Sequence, residues 1–393
     1  MVLALEGIKV LDLCRGYPPA FAAMHMADFG ANVIKVDPVG HVATEHVKGA
    51  SEELMSAYTF IDRNKRSIKI NLRSDEGRDL VRTLIKDMDV LIENSRPGTM
   101  DRLGIGYETV RKINPRLIYC QVSGYGQTGP YRDVVGHDAN FMGVSGALSL
   151  IGPADGPPCY PSNMVADMAG AALHPLAAIL IALIAREKTG EGQLIDISYT
   201  DAVFSLIATD VSIHLVTGEK RRRGKTMVTG GEPCSSVYLT KGGEYITVQF
   251  IEPQFWKTFC EDVGKPELVS RQWPQNDEDR KEMFAILSSL FLTRTRDEWW
   301  EWAKQRQVMM APVNYIEEAV KDPQLISRQM VMKKEHPVLG QITQLGNPLK
   351  MSGTPATYRT YCPHPGQHTD EVLSQSNFSK EQIAELKKKG VVQ

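Results

Sequence analysis

The feature that most constrains the fold is an alternation of short apolar runs and longer helix-like runs near the start of the chain. IKVLDL at 8–13 is followed by a helix-like segment at 20–30 that Gly30 ends, and then by NVIKVD at 32–37. Apolar runs of this length, separated by helical periodicity, are typical of strands that are buried on both faces. The sequence therefore predicts a βαβ unit with parallel strands.

The same alternation recurs further along the chain. SIKINL at 67–72 precedes a predicted helix at 74–88, in which Ser74 is placed as the N-cap and acidic residues fill the first turn. Further strands are predicted at 90–95 and 117–126. The repeated pattern predicts an α/β fold with a mostly parallel, Rossmann-like sheet, whose ligands bind beyond the carboxyl ends of the strands.

Several function classes are excluded by what the sequence lacks. No GxGxxG follows the first strand and no GxxxxGK[ST] occurs, so neither a standard dinucleotide site nor a P-loop is predicted. The 45 basic residues nearly balance the 47 acidic ones, which argues against a nucleic-acid partner. The six cysteines form no CxxC pair, and we expect reduced thiols in the cytoplasm and no metal site.

One apolar stretch needs testing as a membrane span. Residues 164–185 are almost continuously apolar but include Asp167, His174 and Pro175. The uninterrupted apolar part is shorter than the ~20 residues that a span requires. We interpret the stretch as a buried helix at 165–187 and expect no membrane partner.

The sequence changes character after this helix. A basic, turn-rich segment at 217–226 is typical of a linker, and two apolar runs at 235–250 around Lys-Gly-Gly predict an antiparallel hairpin. The tail, rich in Pro and Gly at 334–355, reads as irregular strands and turns. These changes predict a second, smaller α+β domain.

Three ionisable residues stand in settings that favour chemistry. His137 lies in GHDANF after a Gly/Pro-rich loop, Asp167 lies near the start of the apolar helix, and Glu252 lies where a predicted strand meets a helix. Each also has an ordinary structural explanation, since an acid at a helix start is most often a cap and a lone loop histidine is usually structural. None identifies a function by itself.

The order and wording of several motifs closely resemble one family. GANVIKVD, DRNKRSIKINL, NSRPG, RLGIGYE, GYGQTGP, GHDANF and the later GGEP and IEPQFW segments resemble the family III CoA-transferase and α-methylacyl-CoA racemase superfamily (CaiB/BaiF type). The resemblance covers essentially the whole chain. It is closest to the racemases, because His137, Asp167 and Glu252 all match positions of their catalytic motifs.

The resemblance implies a particular domain organisation. A large CoA-binding Rossmann-like domain is expected from residues 1–205 and 325–393, with a linker at 206–227 and a small domain at 228–324. It also implies an interlocked homodimer in which each site is built from both subunits. The predicted domains are therefore not consecutive halves of the chain.

The favoured reaction is epimerisation of the α-carbon of a 2-methylacyl-CoA thioester. His137 and Asp167 would be the two opposed bases, Glu252 would assist one of them, and N–H groups at the start of the Asp167 helix would stabilise the enolate. The first alternative is a CoA-transferase that uses Asp167 as a nucleophile and passes through an aspartyl-CoA thioester. The second is a non-catalytic CoA-binding subunit of a heteromeric transferase.

CoA needs cations for its phosphates and a planar or apolar site for its adenine. Arg63, Lys65 and Arg66 in DRNKRS and Arg96 in NSRPG are the predicted cations, and Tyr125 at another strand end completes the predicted CoA-binding set. CoA is expected only as part of the substrate, with no tightly bound cofactor.

Overall fold

A computed structural model describes residues 2–40 and 61–393. Contacts divide the chain into a large unit (Met1–Ser145, Ser162–Leu206 and Pro323–Gln393) and a small unit (Gly146–Pro161 and Ile207–Asp322). The predicted domain bounds put 146–161 in the large domain and make 206–227 a linker, whereas here 146–161 groups with the small unit and much of 206–227 is helical. The domain bounds stay a prediction, because contacts do not test whether each unit folds independently.

The elements alternate along the chain as follows. The strands are β1 (Lys9–Asp12), β2 (Asn32–Asp37), β3 (Arg66–Lys69), β4 (Val90–Glu93), β5 (Ile118–Ser123), β6 (Leu194–Ser198), β7 (Ser235–Leu239), β8 (Tyr245–Gln249), β9 (Met310–Pro312), β10 (Val331–His336) and β11 (Gly340–Leu345). The helices are α1 (Pro18–Asp28), α2 (Asp75–Ile85), α3 (Thr99–Arg102), α4 (Tyr107–Ile113), α5 (Asp138–Ser145), a π-helix (Met164–Leu173), α6 (His174–Thr189), α7 (Tyr199–Leu206), α8 (Ala208–Thr217), α9 (Pro253–Asp262), α10 (Asp277–Phe291), α11 (Arg296–Arg306), α12 (Ile316–Ala319), α13 (Pro323–Ser327), α14 (Thr369–Gln375) and α15 (Lys380–Lys388).

The large unit is built on a six-stranded sheet in the order β3-β2-β1-β4-β5-β6. Every neighbouring pair in this sheet is parallel. Alternate strand residues such as Leu11, Leu91 and Tyr119 share one core with α2, α4 and the C-terminal helices, while α1 and α6 contact strands of the same sheet. The predicted α/β class with a parallel, Rossmann-like sheet is confirmed.

Local sequence explains where the helices of this sheet begin. Ser74 caps α2 by accepting the backbone N–H of Gly77 at 3.1 Å, as predicted, and Asp75 and Glu76 fill the first turn. Acidic side chains there interact favourably with the positive end of the helix dipole. The amphipathic face of α2 then buries Leu80 and Leu84 against the sheet.

The last segment of the chain returns to the first part of the large unit. Asp28, buried at the end of α1, accepts hydrogen bonds from Arg63, Asn64 and Asn347. The backbone N–H of Thr357 donates to the carbonyl of Asp28 at 2.8 Å. The bonds from Asn347 and Thr357 join parts of the chain that are some three hundred residues apart in sequence.

The small unit has its own sheet and core. β7, β8 and β9 form an antiparallel sheet, and β7 with β8 is the predicted hairpin. Helices α9, α10 and α11 pack an aromatic core on it that includes Phe259, Phe291 and Trp299. The stacked rings of Phe259 and Phe291 lie 5.7 Å apart. Burial of several aromatic rings gives a compact unit a large hydrophobic stabilisation.

The apolar stretch that begins at Met164 is a π-helix followed directly by α6. By length and composition alone, Met164–Thr189 is apolar enough to cross a membrane. Core helices of soluble proteins pass the same test, and one face of this segment packs against α1, α5, α7 and β5 of the large unit. The other face, with Ile181 and Ile184, is exposed, so the predicted buried helix is buried on one side only. The arrangement is consistent with a soluble protein.

Candidate active site

The large unit has one reversal of strand order, and it lies between β1 and β4. The chain runs from β1 outward through β2 and β3, then continues from β4 on the other side of β1. In open parallel sheets this reversal opens a crevice beyond the carboxyl ends of the two strands. The backbone N–H of Arg15 donates to the Asn94 side-chain oxygen at 2.8 Å, and the Asn94 amide donates to the Arg15 carbonyl at 2.7 Å. The loops after β1 and β4 are therefore joined at the edge where ligands bind.

Asp167 lies on the π-helix, which replaces the first part of the predicted α-helix at 165–187. Pro175 lies just after the π-helix, where it has no N–H for the carbonyl four residues earlier and its ring clashes with that carbonyl. His174 lies between them in sequence, and its ring nitrogen Nδ1 is 2.9 Å from the carbonyl oxygen of Ala169. Segments of π-helix occur often at functional sites.

Asp138 holds the start of this π-helix. One oxygen of its carboxylate accepts the backbone N–H groups of Ala166 and Asp167, at 3.0 and 2.9 Å. N–H groups at the start of this helix are predicted to stabilise an enolate. The N–H groups of Ala166 and Asp167 are not available for this, because they already donate to Asp138. Sequence reasoning missed Asp138, although it stands directly beside His137 in GHDANF.

The charge environment of Asp167 joins it to His137. Burial and the neighbouring Asp138 carboxylate raise the pKa of Asp167, while a hydrogen bond from Asn163 and the charge of His137 act in the opposite direction. His137 immediately precedes α5, and its side chain is exposed. The large unit thus brings together two of the three predicted catalytic residues.

An aromatic group lies around this pair. The ring of Phe141 on α5 is 4.9 Å from that of Tyr199 and 5.2 Å from that of Tyr125. Burial raises the pKa of the Tyr199 hydroxyl, and the charges of Asp167 and Asp138 raise it further. Tyr125, predicted to bind CoA, therefore lies on a planar apolar wall beside the candidate catalytic residues.

Glu252 belongs to the small unit. It is the N-cap residue of α9, where Pro253 occupies the first position, and its side chain is exposed without a capping hydrogen bond. Its predicted role beside the catalytic pair remains a prediction.

The predicted CoA-binding cations fall into two groups. Arg63 is buried against Asp28 at 2.7 Å, and Lys65 is buried between Asp12 and Asp62, at 2.8 Å from each. Their charges are thus neutralised inside the protein, away from solvent. Arg66 is partly exposed and pairs with Glu371 and Gln375, and the exposed Arg96 forms no ion pair within residues 2–40 and 61–393.

Two further cations converge on the loop after β4. Gly98 has a left-handed backbone, with φ +74°, and a Cβ placed there would lie 3.2 Å from Nη2 of Arg132 and 3.5 Å from Nη1 of Arg102. The absence of a side chain at Gly98 therefore leaves room for the guanidinium groups of Arg132 and Arg102 beside the same backbone position. Nη1 of Arg132 also pairs with the exposed carboxylate of Asp133 at 3.1 Å, and two positive charges that reach one position favour an anion there. Sequence reasoning missed Arg132, because it lies on a different loop, after β5.

In the part of the chain that the structure describes, no group of three or more His, Cys, Asp or Glu side chains is arranged to hold a metal ion. The candidate site consists of two proton-transfer candidates, His137 and Asp167, of neighbouring aromatic rings, and of arginine side chains near the carboxyl edge of the sheet.

Comparisons with known proteins agree over nearly the whole length. A sequence profile of CoA-transferase family III matches residues 5–369. The α-methylacyl-CoA racemase of Homo sapiens is 32% identical, over 100% of this chain and 98% of its own. The succinyl-CoA:glutarate CoA-transferase of Homo sapiens is also 32% identical, over 99% and 90%. The crystal structure of a CAIB/BAIF family protein from Brucella suis superposes with a TM-score of 0.81 at 28% identity, over 96% of this chain and 100% of that one.

Proposed function

The chain belongs to CoA-transferase family III, whose racemase and transferase members are enzymes, and from this membership we propose that it epimerises the α-carbon of 2-methylacyl-CoA thioesters. The observation that supports the choice is that the charge of His137 acts on Asp167 within one unit, although burial and Asp138 act more strongly on the pKa of that carboxyl group. The human racemase and the human succinyl-CoA:glutarate CoA-transferase match at the same identity, and an acyl-CoA transferase of Fusarium pseudograminearum matches at 34%, so the choice rests on this charge environment.

The proposed reaction is a two-base proton transfer. One base removes the α-proton of the thioester to give an enolate, and the conjugate acid of the other returns a proton to the opposite face. A raised pKa lets Asp167 hold its proton closer to neutral pH, as an acid on one face must. His137, exposed at the start of α5, serves the other face, and Glu252 supports one of the two bases.

The alternative is CoA transfer through Asp167. There the ionised carboxylate attacks the thioester carbonyl, CoA thiolate leaves, and the thiolate then attacks the mixed anhydride at Asp167 to give an aspartyl-CoA thioester and a free acid. Burial and Asp138 disfavour the ionised form that this attack needs. A non-catalytic CoA-binding subunit is the third candidate, and it would show neither reaction.

CoA is proposed to bind at the carboxyl edge of the sheet as part of the substrate. Arg96, Arg102 and Arg132 are the proposed phosphate contacts, because they are the cations that gather around the loop after β4. Tyr125 is proposed to contact the planar or apolar part of the ligand. Arg63, Lys65 and Arg66 remain predicted contacts, although their carboxylate and amide partners compete with a phosphate.

We also propose that the enzyme is an interlocked homodimer in the cytoplasm. α8 buries none of its residues, and Ile181 and Ile184 on α6 are 67% and 63% exposed. Exposed apolar faces of this kind are covered by partners in stable assemblies. Light scattering at several protein concentrations checks this, and a monomer at all of them contradicts it.

The decisive experiment is α-hydrogen exchange. A 2-methylacyl-CoA is incubated in deuterated water without an acceptor acid, and deuterium at the α-carbon is followed by mass spectrometry. Exchange that His137→Gln reduces and Glu108→Gln, at an exposed ion pair on α4, leaves unchanged supports the racemase. Absent exchange, with CoA transfer when a second acid is added and hydroxylamine trapping at Asp167, supports the transferase instead.

A further inference from the structure

The carboxyl group of Glu93 is a buried ionisable group beside the crevice that the proposed chemistry does not use. Glu93 is the last residue of β4, it is 2% exposed, and it pairs with Gln121 of β5 in the sheet register. Within residues 2–40 and 61–393, no Lys, Arg or His side chain pairs with it. A buried carboxylate without a cation is costly.

The carboxyl group of Glu93 accepts hydrogen bonds from the residues that follow β4 and from β5. Its Oε2 accepts the backbone N–H of Ser95 at 2.6 Å. The Ser95 hydroxyl and the Gln121 amide add hydrogen bonds that favour ionisation. Glu93 therefore fixes the first turn of residues 94–98, which we name the β4 loop.

The surroundings of Glu93 are acidic or neutral on every packed element. Burial and the charge of Asp101 on α3 raise the pKa of Glu93 to about 7, against the hydrogen bonds that lower it. Its own charge in turn raises the pKa values of Cys14 after β1, and of Tyr119 and Cys120 on β5. These groups offer no positive charge to an ionised Glu93.

Lys65 is the cation that acts on Cys14, and its charge is already paired with Asp12 and Asp62, at 2.8 Å from each. It therefore does not compensate Glu93.

The β4 loop carries the groups proposed to bind CoA. Asn94 joins it to the β1 loop, Arg96 is exposed on it, and Gly98 makes room for two guanidinium groups. An ionised Glu93 is stabilised by moving toward water or by drawing in Arg96, and either movement shifts the loop.

We propose that Glu93 is a positioning residue for the β4 loop, and that loss of its proton weakens the binding of CoA thioesters. This inference rests on the proposed function, because the ligand of the loop is taken to be CoA. The carboxyl group touches no reacting atom, so its effect falls on KM and leaves kcat nearly unchanged.

The test measures the affinity of the full chain for CoA by calorimetry between about pH 5.5 and 8.5. The variants are Glu93→Gln, which is permanently neutral, and Glu108→Gln as a matched control at an exposed ion pair on α4. The phosphomonoester of CoA titrates near pH 6 in every sample, so the comparison between variants cancels it. We expect the wild type and the control to lose about fivefold more affinity than Glu93→Gln across this range.

Glu93→Asp keeps a titratable acid and provides a second test if the glutamine variant does not fold. It should retain a pH-dependent affinity, with a changed midpoint. Equal pH profiles for the wild type and Glu93→Gln, or a pH-independent Glu93→Asp, overturn the inference. If the wild type binds no CoA at any pH, the proposed function fails and this inference fails with it.

Discussion

The backbone N–H of Asp167 donates to the carboxylate of Asp138 at 2.9 Å, so one acid anchors the helix start that carries the other. Asp138 thereby does two things at once. It fixes the position of Asp167, and its negative charge keeps a proton on that residue to a higher pH.

Asp138→Asn separates these two effects. The amide oxygen still accepts an N–H group, but the charge is gone, so the pKa of Asp167 falls. We expect the acid form of Asp167 to be lost at lower pH, and exchange that needs it to fall about tenfold at neutral pH. The pH dependence of α-hydrogen exchange checks this. Asp79→Asn, at an exposed pair with Arg82, is the control, and a profile unchanged by Asp138→Asn contradicts the prediction.

Arg63 and Arg96 should respond to substitution in different ways. Arg63→Met leaves Asp28 buried without its cation, so we expect the free energy of unfolding to fall by roughly 3–5 kcal/mol. Arg96→Ala removes an exposed charge, so unfolding should change by less than about 0.5 kcal/mol while KM for the thioester rises. Urea unfolding and steady-state kinetics measure both. A stable Arg63→Met protein with a raised KM would show that Arg63 contacts CoA.

Pro175 should matter for the rate more than for stability. Pro175→Ala restores an N–H group that can bond the carbonyl of Ala171 and close a regular α-helical turn. If this bond continues the α-helix backwards into Met164–Leu173, the π-helix shortens and the position of Asp167 relative to His137 changes. We expect kcat for exchange to fall at least tenfold with no loss in Tm. Pro323→Ala, at the start of α13, is the matched control, and an unchanged kcat contradicts the role of the π-helix.

Glu93 gives a stability that depends on pH. The unfolded chain releases this proton near pH 4.5, whereas the folded chain holds it to about 7. The folded state binds more protons between these values, so the free energy of unfolding falls as pH rises through them, by on the order of 3 kcal/mol in total. Glu93→Gln should lose this part of the dependence. Urea unfolding at pH 4.5 and pH 7 measures the free energy of unfolding of both proteins. An equal change with pH in the wild type and in Glu93→Gln would exclude a raised pKa of Glu93.

The sequence allowed the sheet to be predicted because its signals are local. Apolar runs mark the strands, and Ser74 with two acidic residues marks the start of α2. The π-helix was not predicted, since residues 165–187 read as one apolar helix and Pro175 looked like an ordinary interruption.

Charges were the hardest part to interpret. Arg63 and Lys65 stand in a basic run that looks exposed in sequence. Their partners Asp28 and Asp12 lie 35 and 53 positions away, so only the folded chain reveals that both cations are buried. Arg132 is likewise found only in the folded chain, because it approaches Gly98 and the nearby Arg102 of α3 from a distant loop.

The return of residues 323–393 to the large unit also sets an order of assembly on the ribosome. The small unit's main segment, Ile207–Asp322, is synthesised before Asn347 and Thr357 emerge to bond Asp28. The aromatic core of the small unit can therefore form first, while the large unit waits for its final pieces. During that interval the buried carboxylate of Asp28 lacks the hydrogen bond from Asn347, although Arg63 and Asn64 are already available to it.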